Sequence, residues 1–170
     1  MKKTILFVLG IVFSMMIANA QRYAIIDSKY ILEKMPEFVD AQSRLDQFSF
    51  LWQQEIDQKQ QALDKLVRDF ESEQIILPDN LKKKREDEIF NKEKELRDLQ
   101  RKRFGFEGDL FKKRQELIKP VQDKVYSAVQ RLALERSYDF ILDKSEGITV
   151  IFADPKLDKS EEILKSLGIK

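Results

Sequence analysis

The sequence predicts an α+β fold, mostly α, in which a small β body is assembled from both chain ends and carries a long antiparallel coiled-coil α-hairpin as an arm. Three observations lead there. Runs of β-forming residues stand only near the ends, at Tyr23–Asp27 and between Tyr138 and Ala153. The long middle contains one strong turn signal, Leu77-Pro78-Asp79-Asn80. On either side of that turn, apolar residues recur at helical spacing among charged residues and glutamines.

The first element is outside the fold. In residues 1–20, Lys2 and Lys3 precede an apolar stretch from Ile5 to Ile17 and then Ala18-Asn19-Ala20, the pattern of a secretory signal peptide cleaved after Ala20. Removing Lys2 and Lys3 leaves 29 basic against 30 acidic side chains. The mature body is expected to comprise 21–36 and 120–170, the arm 37–119, and the tip turn 77–80.

Tyr23-Ala24-Ile25-Ile26-Asp27 is a short strand, and Asp27 or Ser28 caps the helical segment Lys29–Lys34. Pro36 stops or bends that segment, and a new helical pattern then runs without glycine or proline to Leu77. Its stripe is Leu45, Phe48, Trp52, Ile56, Leu63, Leu66 and Phe70, with Lys59 near a seam position. Beyond a cap at Asp79 or Asn80, the second helix repeats the texture with Ile89, Leu96, Leu99, Phe106, Leu110 and Leu117. The antiparallel pairing sets Gly105 against Trp52 and Gly108 against Ser49. Glycines inside a helix cost about 1 kcal/mol each relative to alanine, so this pair either makes room for Trp52 and Phe48 or serves as an arm hinge. Pro120 kinks or restarts the helix, which continues with Val121, Val125, Val129 and Leu132 on one face. Tyr138–Asp143 and Ile148–Ala153 are expected to form a β-hairpin through Ser145-Glu146-Gly147, and Asp158–Leu167 a closing helix stopped at Gly168.

Composition narrows function. The chain has 170 residues, 31 Lys+Arg against 30 Asp+Glu, and neither cysteine nor histidine. Thiolate and imidazole chemistry, disulfides and the usual zinc sites are therefore excluded. With five glycines there is no Gly-rich phosphate loop. Carboxylates on exposed helical faces have no apolar pocket to tune them, so no enzyme and no cofactor is expected. Balanced charge and export count against nucleic acid. A thin core without disulfides calls for a homo-oligomer, with Ile25, Ile26, Ile141, Val150 and Phe152 as candidate interface residues.

Several segments carry a family likeness. They are Ala24-Ile25-Ile26-Asp27-Ser28 leading to Met35-Pro36-Glu37, Pro120-Val121 through Tyr138-Asp139-Phe140-Ile141-Leu142-Asp143, Phe152-Ala153-Asp154-Pro155, and Leu157-Asp158-Lys159-Ser160-Glu161-Glu162-Ile163-Leu164. In this order they resemble the Skp/OmpH family of periplasmic chaperones, over essentially the whole mature chain. The resemblance implies a jellyfish-like homotrimer whose three α-hairpin tentacles surround a cavity. It also implies a periplasmic, ATP-independent holdase for unfolded outer-membrane proteins. Candidate client-binding residues are then those the seam does not use, Phe50, Phe90, Phe104 and Phe111, with Ile75, Ile76 and Leu77 at the tip. On the hinge reading, alanine at Gly105 and Gly108 would stiffen the arm and narrow the range of clients held. Well-studied members of the family are strongly basic, whereas this mature chain is near neutral. The local cluster Lys82-Lys83-Lys84-Arg85 is what remains for a weak contact with lipid headgroups. The rival reading is a coiled-coil scaffold of the cell envelope that binds a folded partner.

Overall fold

The computed structural model describes residues 22–145, 147 and 150–169. The expected signal peptide lies outside them. Strand β1 (Tyr23–Ile26) is followed by α1 (Ser28–Lys34), α2 (Pro36–Glu73), α3 (Asp79–Phe104), α4 (Asp109–Leu117), α5 (Lys119–Arg136), β2 (Phe140–Asp143), a 3-10 turn (Pro155–Leu157) and α6 (Ser160–Ser166). The chain divides into two compact units, one running up to Ile31 and resuming at Val125, the other Leu32–Lys124.

In the first unit, β1 and β2 pair in parallel, with Tyr23 opposite Phe140 and Ile26 opposite Asp143. Parallel strands cannot be joined by a tight turn. Here everything from Asp27 to Asp139 forms the connection. A bridge from Ile25 to Asp158 and the bond from Lys159 N–H to the Ile25 carbonyl (2.8 Å) occupy β1's other edge. The expected β-hairpin is corrected. Residues 150–153 form no strand, and Ile148 and Thr149 lie outside the described residues. A run of β-branched residues expresses a preference for a pleated, half-buried surface, and Ile151 and Phe152 are almost wholly exposed. The buried apolar residues described in this unit are Ala24, Ile25, Ile26, Ile31, Val125, Ala128, Leu132, Ile163 and Leu164.

Caps explain the short elements. Asp27 Oδ1 accepts from the Tyr30 N–H (2.9 Å), which starts α1. Asp158 Oδ1 accepts from the Ser160 N–H (2.9 Å) at the start of α6. That helix ends on Gly168 at φ 78, with the Ile169 N–H reaching back to the Leu164 carbonyl (3.0 Å). Ser137, at φ 51, closes α5 in the same manner, with Tyr138 N–H bonded to Ala133.

A polar network ties the sheet ends together. Asp143 Oδ1 accepts from the Ser28 N–H (3.1 Å), the Ser145 N–H (3.0 Å) and the Ser145 hydroxyl (2.8 Å). Lys144 donates to Asp158 (2.8 Å). Burial pushes the Asp143 carboxyl up, but the bonds from Ser28 and Ser145 outweigh it and hold its pKa below the ordinary value. Asp158 is held down in the same way, burial being overcome by Lys144 and Ser160. Carboxylates depressed on folding stabilise the fold above their unfolded pKa, near pH 4, and lose that contribution as pH falls through the folded value. The thermal midpoint should therefore fall progressively below about pH 4. Asp143→Asn and Asp158→Asn should each flatten that acid limb in a pH series of melting curves, and an unchanged limb in both would refute the linkage.

In the second unit, α2 is 38 residues long, about 57 Å. Met35 stands before it in an extended conformation, as the residue preceding a proline prefers, and Pro36 takes the first helical position. The exposed face carries Gln42–Asp46, Gln53–Asp57 and Gln60–Asp64 bonds of 2.7–2.8 Å, one helical turn apart in each case. Each contributes about 0.2–0.5 kcal/mol to the helix. The inner face packs in two clusters: Ala41, Leu45 and Ile118 with Phe38, Leu110 and Leu117, and Ile56, Leu63 and Leu96 with Val67, Ile89 and Leu99. Arg103 donates to Glu55 (2.9 Å), and Lys124 pairs with Glu37. Lys59 is exposed, beside Leu63, Leu66 and Glu95.

Four expectations are corrected in this unit. Helix α2 ends at Glu73, and the turn occupies 74–78 rather than 77–80. Pro78, not Asp79 or Asn80, stands at the cap of α3, with no side-chain cap bond. Gly105 and Gly108 are not inside a helix. They bound a break, Gly105 ending α3 and Gly108 starting α4. Phe106, placed on the seam by its spacing, lies within that break and is 98% exposed.

Candidate binding surface

The break shows why glycine is required there. A Cβ at Gly105 would come within 2.3 Å of the Arg101 carbonyl oxygen, and one at Gly108 within 2.8 Å of the Lys102 carbonyl oxygen. The space is taken by the last turn of α3 itself. Trp52 instead lies under the Arg103 guanidinium (5.0 Å to the ring centre), and Phe48 under Lys113 (5.1 Å). Arg103 also donates to Asp109 (2.7 Å). That bond, together with the Glu55 bond, raises its pKa and ties the start of α4 to the end of α3 and to α2. Gly105→Ala should accordingly not stiffen a helix but displace backbone, lowering stability by about 1–3 kcal/mol. Urea unfolding monitored by circular dichroism tests this, and a neutral or stabilising effect would refute it.

The candidate contact residues fall into distinct settings. Phe50 (62%) and Phe90 (61%) are well exposed on α2 and α3, and Phe111 and Phe104 are less so. Phe50 lies at one end of an open groove lined by Phe38, Val39, Gln42, Ser43, Asp46 and Gln47. At the turn, Ile75 (89%) and Ile76 (81%) are in solvent and Leu77 is half-buried. Lys83, Lys84 and Arg85 are exposed and Lys82 is half-buried. Arg85 pairs with Glu88 (3.0 Å), and Asp79, Glu86 and Asp87 stand close by in sequence, so the cluster has little net positive charge.

The interface candidates separate similarly. Ile25 and Ile26 are buried within the chain itself, so their side chains serve its own core rather than a second surface. Ile141 and Val150 are half-buried and Phe152 is exposed. Sequence reasoning missed the stacked and exposed pair Tyr23–Phe140 (5.6 Å between ring centres). It also missed the Arg103 bridge and the exposure of Phe106. The signal for the last was available: two glycines three apart, Gly105-Phe106-Glu107-Gly108, mark a turn better than a helix interior. Among the described residues, no three of His, Cys, Asp or Glu converge as for a metal ion, and no helix is long and apolar enough to cross a membrane.

A small parallel sheet and long helices define the class: a mostly helical α+β protein. The family model "Outer membrane protein (OmpH-like)" matches residues 22–167, and the chain belongs to that OmpH-like family. Among solved structures it is similar to a protein from Caulobacter crescentus described as an outer membrane chaperone (OmpH-like). The two are 14% identical with a TM-score of 0.67, over 87% of this chain and 84% of that one, a likeness of fold. No curated protein matches the chain.

Proposed function

We propose that the protein is an ATP-independent periplasmic holdase that keeps unfolded outer-membrane β-barrel proteins soluble, and that it performs no catalysis. The observation carrying this reading is the set of large apolar side chains left in solvent in the helical unit, Phe50, Phe90, Ile75 and Ile76 among them. Each offers a weak contact, and many weak contacts around one client raise its effective concentration without a tight pocket. Membership of the OmpH-like family supports the reading.

In this account α2 pairs with α3 and α4 as an antiparallel hairpin. The Glu55–Arg103 and Glu37–Lys124 pairs support that register, since the earlier α2 residue, Glu37, takes the later partner and Glu55 the earlier one. Residues 37–119 serve the client, while 21–36 and 120–170 join three copies, Ile141, Val150 and Phe152 among the contacts. Residues 1–20 direct export and are removed. The test is dilution of a urea-unfolded β-barrel outer-membrane protein into buffer with the purified mature chain and no nucleotide. Suppressed aggregation by a species of three-chain mass is the expected result. Failure to suppress aggregation would leave the scaffold reading.

A further inference from the structure

We infer that the α3–α4 break is a display turn that presents Phe106 to apolar segments of an unfolded polypeptide, an inference that rests on the holdase reading above. The turn is built to hold its shape. Gly108 N–H bonds to the Gly105 carbonyl (2.9 Å), closing a four-residue turn with Phe106 and Glu107 at its centre. Glu107 stands in the left-handed region at φ 55, where a non-glycine residue is disfavoured. Gly105 and Gly108 exclude any Cβ. Arg103, just before the break, pairs with Asp109 just after it and with Glu55 of α2. Strain that surrounding contacts hold in place is typical of functional positions. The consequence is that Phe106, the most exposed large hydrophobic side chain among the described residues, is fixed in solvent.

The size of this knob selects its occupant. One phenylalanine offers roughly 150–250 Å² of surface, whereas a stable interface with a folded partner or another copy takes about 800 Å² from each side. The neighbouring charged groups Arg103 and Asp109 are already paired with each other. A single apolar projection of this size suits a transient contact with an extended chain, one of many such contacts.

The test uses the full mature chain, the Phe106→Ser variant, and a variant with a photo-crosslinking phenylalanine analogue at position 106, with a urea-unfolded β-barrel outer-membrane protein as probe. We expect Phe106→Ser to keep the wild-type circular dichroism and solution mass while weakening client binding about three- to tenfold. The crosslinker should label the client. If the wild type holds the client and Phe106→Ser holds it equally well, the inference is overturned while the holdase reading stands. Crosslinks to another copy, or a changed solution mass, overturn it in favour of a self-contact. If the wild type holds no client, the underlying reading fails first.

Discussion

Ile163→Ala is expected to remove about 2–5 kcal/mol of stability, the cost of deleting most of a fully buried isoleucine and leaving a cavity. Ile163 is wholly buried on α6, a helix of only seven residues. It shares its unit's core with few other large side chains, Ile25, Ile26, Ile31 and Leu132 among them. Domains of this size have total stabilities of roughly 5–15 kcal/mol, so a loss in that range removes much of the margin. Urea unfolding gives the free energy, and light scattering reports the oligomer. Under the proposed assembly, both the unfolding midpoint and the associated mass should drop together. A loss below about 1 kcal/mol would mean that this core is not what holds the unit folded.

The second large effect concerns function without stability. Replacing Phe50, Phe90, Ile75 and Ile76 together by serine should abolish most client holding, lowering apparent affinity by about tenfold or more through multiplied weak contacts. Exposed positions tolerate substitution within about 0.5 kcal/mol each, so the melting temperature should hardly move. The aggregation assay and a thermal melt on the same preparation separate the two quantities. Equal holding by this variant would remove the observation on which the proposed function stands. A collapse of the fold would show that these side chains are packing partners, against their exposure in the structure.

Much of the helical architecture was legible because it is written in local chemistry. Pro36 sets the start of α2, the 3.6-residue spacing of Leu45, Ile56 and Leu63 sets its inner face, and Pro78 separates it from α3. Asp27 caps α1 through its own neighbours. Strand β1 and most of β2 were legible for the same reason, as short β-branched and aromatic runs between breakers. The contact surface was only half legible. Phe50, Phe90, Ile75 and Ile76 followed as residues left over from the stripe, whereas Phe106 was assigned to the stripe because its spacing fits a helix that the chain does not form there.

By itself, then, the amino-acid order determined where α1 and α2 begin, which side of α2 is apolar, and that no thiol or imidazole chemistry is available to this chain. Tertiary structure decided what those patterns could not contain. Strand partners were one such matter. Whether β2 pairs with its neighbour in sequence or with β1, more than a hundred residues away, depends on the free energy of closing the whole connection, which no local window contains. The role of the two glycines was another. Their need for space arises from the folding back of α3's own last turn and from Arg103 reaching Glu55 and Asp109 at once, distances that exist only after the chain has packed.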